Sequence, residues 1–81
     1  MTAREEILAA LPALRDRLGR DEFSPAEVIE ELQRRGSGLA SSTVRTHIVS
    51  RMCVDAPAHH AKVFDDLERV GRGLYRVRRV P

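Results

Sequence analysis

Aromatic side chains are nearly missing from this chain, which has no Trp, two Phe and one Tyr among its 81 residues. A core built from it must rest mostly on Leu, Val and Ile. The single cysteine excludes an internal disulfide framework. No apolar run approaches the length that crosses a bilayer, and nothing at the N-terminus resembles a signal peptide, so a cytoplasmic chain is expected. What remains suffices for one small domain spanning residues 1–81, with room for one core and little else. A hydrophobic content of 42% with regular periodicity argues for folding rather than disorder.

A formal net charge of +2 does not by itself point to a polyanionic partner. The distribution is more informative. Residues 1–40 hold six Lys/Arg against eight Asp/Glu, whereas residues 41–81 hold eight against four. A first half that packs and a basic second half that binds suit a protein with one DNA-facing side. The competing account is that surface charge segregates by chance.

Thr2-Ala3-Arg4-Glu5 has the spacing of a capping box, which predicts a helix starting at Ala3. Ile7, Leu8, Leu11, Leu14 and Leu18 then recur at three- and four-residue steps along one stripe, and Gly19 closes the helix. Pro12 lies inside that stripe and removes the bond to the Leu8 carbonyl, so a kink or break is expected there. Asp21-Glu22-Phe23 reads as a short strand. Ser24-Pro25-Ala26-Glu27 is a second capping box with proline at the first helical position. Val28, Ile29 and Leu32 form its inward face, and Gly36 ends it in a left-handed conformation. A third helix follows, capped by Ser41 or Ser42. After Cys53, Asp55-Ala56-Pro57-Ala58 reads as an irregular loop. β-favouring residues then flank Gly71-Arg72-Gly73, a hairpin turn with two positions free to take positive φ. The expected fold is mainly α with a small β-sheet, in the order helix, short strand, helix, helix, two-stranded wing: a winged helix-turn-helix.

On the third helix Val44, Ile48 and Met52 stand four apart and must face the core. The opposite face carries Thr43, Thr46 and Ser50, with Ser42 and Arg45 near the N-terminal edge and His47 beside them. Short hydroxyl side chains let a helix sit deep in the major groove, and arginine can reach guanine O6 and N7 with two hydrogen bonds. The same pattern also fits an ordinary solvated helix face. The hairpin strengthens the DNA reading, because Arg69, Arg72, Arg76, Arg78 and Arg79 crowd one small element. Arginine there can clamp phosphates or enter a narrow minor groove. Edge charges that block aggregation are the alternative, and Arg78 and Arg79 fit a charged tail equally well.

His47, Cys53, His59 and His60 have the spacing H-x5-C-x5-H-H, which lacks the close Cys-x2-Cys pair of structural zinc sites. Neither a metal nor a cofactor is expected. Cys53 near these histidines, and Asp65-Asp66 with Glu68, lack an orienting third group and a phosphate loop, so no enzymatic activity is expected. The two aspartates are read instead as opening the hairpin or neutralising a neighbouring arginine.

Taken together, these segments resemble a group of bacterial winged helix-turn-helix DNA-binding domains. That group carries Ser-Thr-x-Arg-Thr-His-Ile, Ser-Arg-Met-Cys, Ala-Pro, His-His and Val-Gly-Arg-Gly-x-Tyr-Arg. The motifs stand here as Ser42 to Ile48, Ser50 to Cys53, Ala56-Pro57, His59-His60 and Val70 to Arg76, a resemblance covering residues 22–77. Pro12 is the departure. Such domains occur alone or beside nuclease-like modules, so the resemblance implies a transcriptional regulator or a defence-associated, nucleoid-bound DNA reader. The expected partner is double-stranded DNA, contacted by Ser42, Thr43, Arg45, Thr46, His47, Ser50, Arg69, Arg72 and Arg76, with no membrane or small-molecule partner. The alternative is a protein-interaction or dimerisation module on the same fold, using small residues around Ala9, Ala10 and Ala13. A homodimer is compatible with both readings, since two-fold dimers read palindromic sites.

Overall fold

Two reciprocal caps start the helical body. The Thr2 side chain accepts from the Glu5 N–H while the Glu5 carboxylate accepts from the Thr2 N–H, and helix α1 runs Ala3–Leu18. Ser24 and Glu27 repeat the arrangement at helix α2, Pro25–Arg34, with Pro25 in its first turn. Gly19 and Gly36 end the two helices with φ of 68° and 77°. At Gly36 the Ser37 N–H reaches the Leu32 carbonyl and the Gly36 N–H reaches that of Gln33, the paired bonds of a Schellman motif. The computed structural model of the chain describes residues 2–53 and 66–78.

Helix α3, Ser41–Thr46, continues directly into a π turn, His47–Arg51. The hairpin pairs strand β1, Leu67–Gly71, antiparallel with strand β2, Leu74–Val77. Its outer edges are both engaged. Phe23 exchanges two 2.8 Å backbone hydrogen bonds with Tyr75 on β2, and Cys53 bridges Leu67 on β1. The expected strand at Asp21-Glu22-Phe23 is thus a single bridge at Phe23. Three helices and a C-terminal two-stranded wing make this a winged helix-turn-helix.

One core joins all of these elements: Ile7, Leu11 and Leu14 from α1, Val28 and Leu32 from α2, Val44, Ile48 and Met52 from the third helix, and Phe23, Leu67 and Tyr75 from the sheet. Burying each large apolar side chain contributes about 1.5–3 kcal/mol. Arg17 crosses from α1 to α2, where its Nε and Nη2 donate to Oε1 of the buried Glu31 at 3.1 and 3.0 Å. A pair of this kind adds little net stability but penalises any packing that would leave Glu31 buried without its partner. Arg4 fixes the other end of α1, donating from Nε and Nη2 to both carboxylate oxygens of Asp66 at 2.7 and 2.8 Å. Asp66 does open the hairpin, and the arginine it pairs with lies 62 residues away.

Several expectations need correction. Helix α1 runs through Pro12 without a break. Pro12 is exposed, so the missing bond lies on the solvent side while Ile7, Leu11 and Leu14 hold the core side. Ala10 is fully buried, which removes it from the surface patch expected with Ala9 and Ala13. Helix α3 has Ala40 at its cap position and no side-chain capping bond, so neither Ser41 nor Ser42 caps it. Of the turn glycines only Gly73 takes positive φ, at 66°.

Burial tends to raise the Glu27 carboxyl pKa, but the Ser24 N–H and the Arg20 guanidinium outweigh it and hold it below the usual 4.5. A lowered folded value stabilises the native state above pH 4.5, and that stabilisation is lost as pH falls through the folded value. Glu27→Gln should therefore lower stability at neutral pH by about 1 kcal/mol. Thermal melts taken across pH 7 to 3 should show this deficit shrinking once the pH drops below 4.5. A deficit constant with pH would remove the carboxylate from this role.

Candidate nucleic-acid interface

The third helix is positioned from its apolar side. Val44, Ile48 and Met52 are all buried, which turns Ser42, Arg45, Thr46 and Ser50 outward and leaves Thr43 and His47 half-buried. The π turn alters the exposed side. Its bond from the Met52 N–H to the His47 carbonyl, 2.8 Å, encloses one residue more than an α turn. The chain therefore advances by a smaller angle per residue, and Arg51 returns to the row of Thr43 and His47. Ser42, Thr43, Thr46, His47 and Arg51 together line a shallow surface depression.

Arg51 is the residue that sequence reasoning left out. A signal for it existed, because Thr43, His47 and Arg51 stand four apart, one position before each member of the buried stripe. A second signal is the run from Leu32 to Val54, which has no Asp or Glu and four arginines: Arg34, Arg35, Arg45 and Arg51. Among the described residues, neither Arg45 nor Arg51 meets a carboxylate. Within the first half, Arg17 pairs with Glu31 and Glu30, Arg20 with Glu27, and Arg34 with Glu30.

The wing is less uniform than its arginine count implies. Register places Glu68 opposite Arg76, and the two form an ion pair at 3.2 Å. Arg69 lies opposite Tyr75, so Arg69 and Arg76 belong to opposite faces of the hairpin. Arg69 Nε donates back to the Gly71 carbonyl at 3.1 Å, close to the tip. Arg76 shares a concavity with Arg15, Asp21, Glu68 and Val77, separate from the depression on the third helix. Arg72 occupies the exposed tip and has no carboxylate partner among the described residues. Tyr75 is buried and Val77 packs against the core, while Arg76 and Arg78 are exposed, as the alternation requires.

The tip turn has positive φ at Gly73 but not at Arg72. It is therefore not one of the primed turns that match strand twist, and the register shift between Arg69 and Gly71, a bulge at Val70, takes up the difference.

Of the residues considered for metal or thiol chemistry, the structure describes His47, Cys53, Asp66 and Glu68. Cys53 is 2% exposed within the core. His59, His60, Asp65, Arg79 and the segment Asp55 to Ala58 lie outside the described residues. Among the described residues, no three His, Cys, Asp or Glu side chains cluster in a way that could hold a metal ion. No helix among them is long and apolar enough to cross a membrane.

A family model described as a domain of unknown function, DUF7669, matches residues 7–77, nearly the whole chain. The chain belongs to the DUF7669 family. That match takes in every element of the DUF7669 fold except the first turn of α1, the candidate reading helix and the wing included. No curated protein and no solved structure matches the chain.

At the wing tip, Gly73→Ala should destabilise the protein by about 1–2 kcal/mol, because a Cβ at φ 66° is strained. Gly71→Ala should have a smaller effect, since its Cβ would meet Leu74 at an ordinary 3.7 Å. Denaturant titration of both variants checks the order. Equal losses would overturn this account of the turn.

Proposed function

We propose that this protein binds double-stranded DNA without enzymatic activity, as a transcriptional regulator or a defence-associated DNA reader, with its third helix in the major groove and the wing tip on the flanking backbone or minor groove. One observation carries the reading. The exposed side of the third helix holds Ser42, Arg45, Thr46, Ser50 and Arg51, with no acidic residue on the helix and no carboxylate paired to either arginine among the described residues. A solvated face without a polyanionic partner has no reason to exclude carboxylates. A face that meets phosphates does, because each carboxylate would repel them and must be desolvated.

The residues divide by role. Arg45 is the candidate for bidentate contact with guanine. Ser42, Thr43, Thr46 and Ser50 are short enough to let the helix backbone approach the groove floor. Arg51 lies one helical turn beyond His47 and suits a phosphate at the groove edge. Arg72 extends furthest along the wing, with Arg69 behind it. Arg76, facing Glu68 across the hairpin, contributes less than an unpaired arginine would. The docking-module alternative is weakened by the burial of Ala10.

Arg45→Ala should weaken binding to a preferred duplex by about 1–3 kcal/mol and relax the preference at one position. Arg72→Ala should weaken all duplexes alike and lower the slope of log affinity against log salt by about 1. Fluorescence anisotropy with a selected and a scrambled duplex, at two stated salt concentrations, separates the two patterns. If both variants bound duplex as tightly as the parent at each salt, the reading would be abandoned.

A further inference from the structure

The imidazole of His47 is oriented by one contact. Its Nδ1 lies 2.8 Å from the carbonyl oxygen of Thr43, one turn back on the same helix. A carbonyl oxygen can only accept, so Nδ1 carries the proton and Nε2 of the neutral ring presents a lone pair. The two nitrogens occupy different edges of the ring, and with Nδ1 turned to the helix backbone, Nε2 is turned away from it. No described residue bonds to Nε2, and Nε2 is not among the side-chain atoms sealed from water without a partner. The ring lines the depression shared with Ser42, Thr43, Thr46 and Arg51. Hydroxyls can donate or accept, and a guanidinium only donates. Neutral His47 is thus the one lining side chain whose free group can only accept.

We infer that His47 is a base-specificity residue, an inference that rests on the DNA-binding reading above. Its Nε2 accepts a hydrogen bond from an exocyclic amine at the major-groove edge, N4 of cytosine or N6 of adenine. Guanine and thymine present O6 and O4 at that edge, two acceptors that Nε2 cannot pair with. The Thr43 carbonyl acts as the positioning group, because it selects the tautomer. A lysine at the same place would only donate, and so would prefer guanine.

The test begins with selection from a random duplex library by the wild-type protein, His47→Ala and His47→Lys. Affinities are then measured on duplexes in which the amine at one position is removed, cytosine becoming 2-pyrimidinone or adenine becoming purine. One position of the wild-type site should be cytosine or adenine, and losing its amine should weaken wild-type binding about three- to tenfold. His47→Ala should lose the preference at that position alone and be indifferent to the missing amine, while His47→Lys should shift it to guanine. The amine deletions need only the wild-type protein, so indifference to all of them overturns the role even if a variant folds poorly. If the wild type binds no duplex, the DNA-binding reading falls and this one with it. If it binds but no amine deletion matters, or if His47→Ala weakens every sequence alike with a shallower salt dependence, only the role of His47 is overturned.

Discussion

The wing stays in place because both of its edges are attached by backbone to the helical body. Phe23 exchanges a pair of hydrogen bonds with Tyr75 on one edge, and the Leu67 N–H reaches the Met52 carbonyl at 2.9 Å on the other. A two-stranded hairpin alone is at best marginally stable in water. These attachments tie each strand of the hairpin to the helical body at one residue, Tyr75 on β2 and Leu67 on β1. They also decide the geometry of the candidate interface. Met52 ends the buried stripe that orients the exposed face of the third helix, and its carbonyl holds the Leu67 N–H where β1 begins. The Arg4–Asp66 pair adds a side-chain tie at the base of the hairpin.

Charge is arranged around this frame by compensation within the body. Glu27, Glu30 and Glu31 of α2 meet arginines of the first half, and Glu31 is buried against Arg17. Among the described residues, Arg45 and Arg51 of the third helix and Arg72 at the wing tip meet no carboxylate. A protein with a small net charge can therefore present a locally cationic side without a long-range field. The wing contributes unevenly, since Glu68 faces Arg76 on one side of the hairpin while Arg69 and Arg72 cluster toward the tip.

Much of the fold was legible because its signals are local. Capping boxes at Thr2 and Ser24 act over three residues, a left-handed glycine at Gly36 acts over four, and the stripe Val44, Ile48, Met52 follows from helical periodicity alone. The errors arose where local rules were outweighed. Proline disfavours a helix interior, yet Pro12 faces solvent and the opposite side of α1 is held by four buried residues. Serine favours a cap, but the backbone enters α3 one residue early, at Ala40. A strand at Phe23 was read correctly as extended, and its reduction to one bridge depends on how far β2 reaches.

The candidate site divides along the same line. Sequence alone determined that Val44, Ile48 and Met52 face the core, because the period of an amphipathic helix is an intrinsic property of the chain. It also determined that arginines crowd the hairpin. Only the tertiary structure decided that Arg76 meets a carboxylate, since Glu68 reaches it through strand register and register is set by the bulge and the turn. The π turn at His47–Arg51, with Ile48 and Met52 buried beside it, is likewise not given by α-helical periodicity. The tautomer of His47 follows from a 2.8 Å contact with the Thr43 carbonyl. Residue identity supplies the chemistry of each group; distance decides which proton it holds and which partner it has already spent.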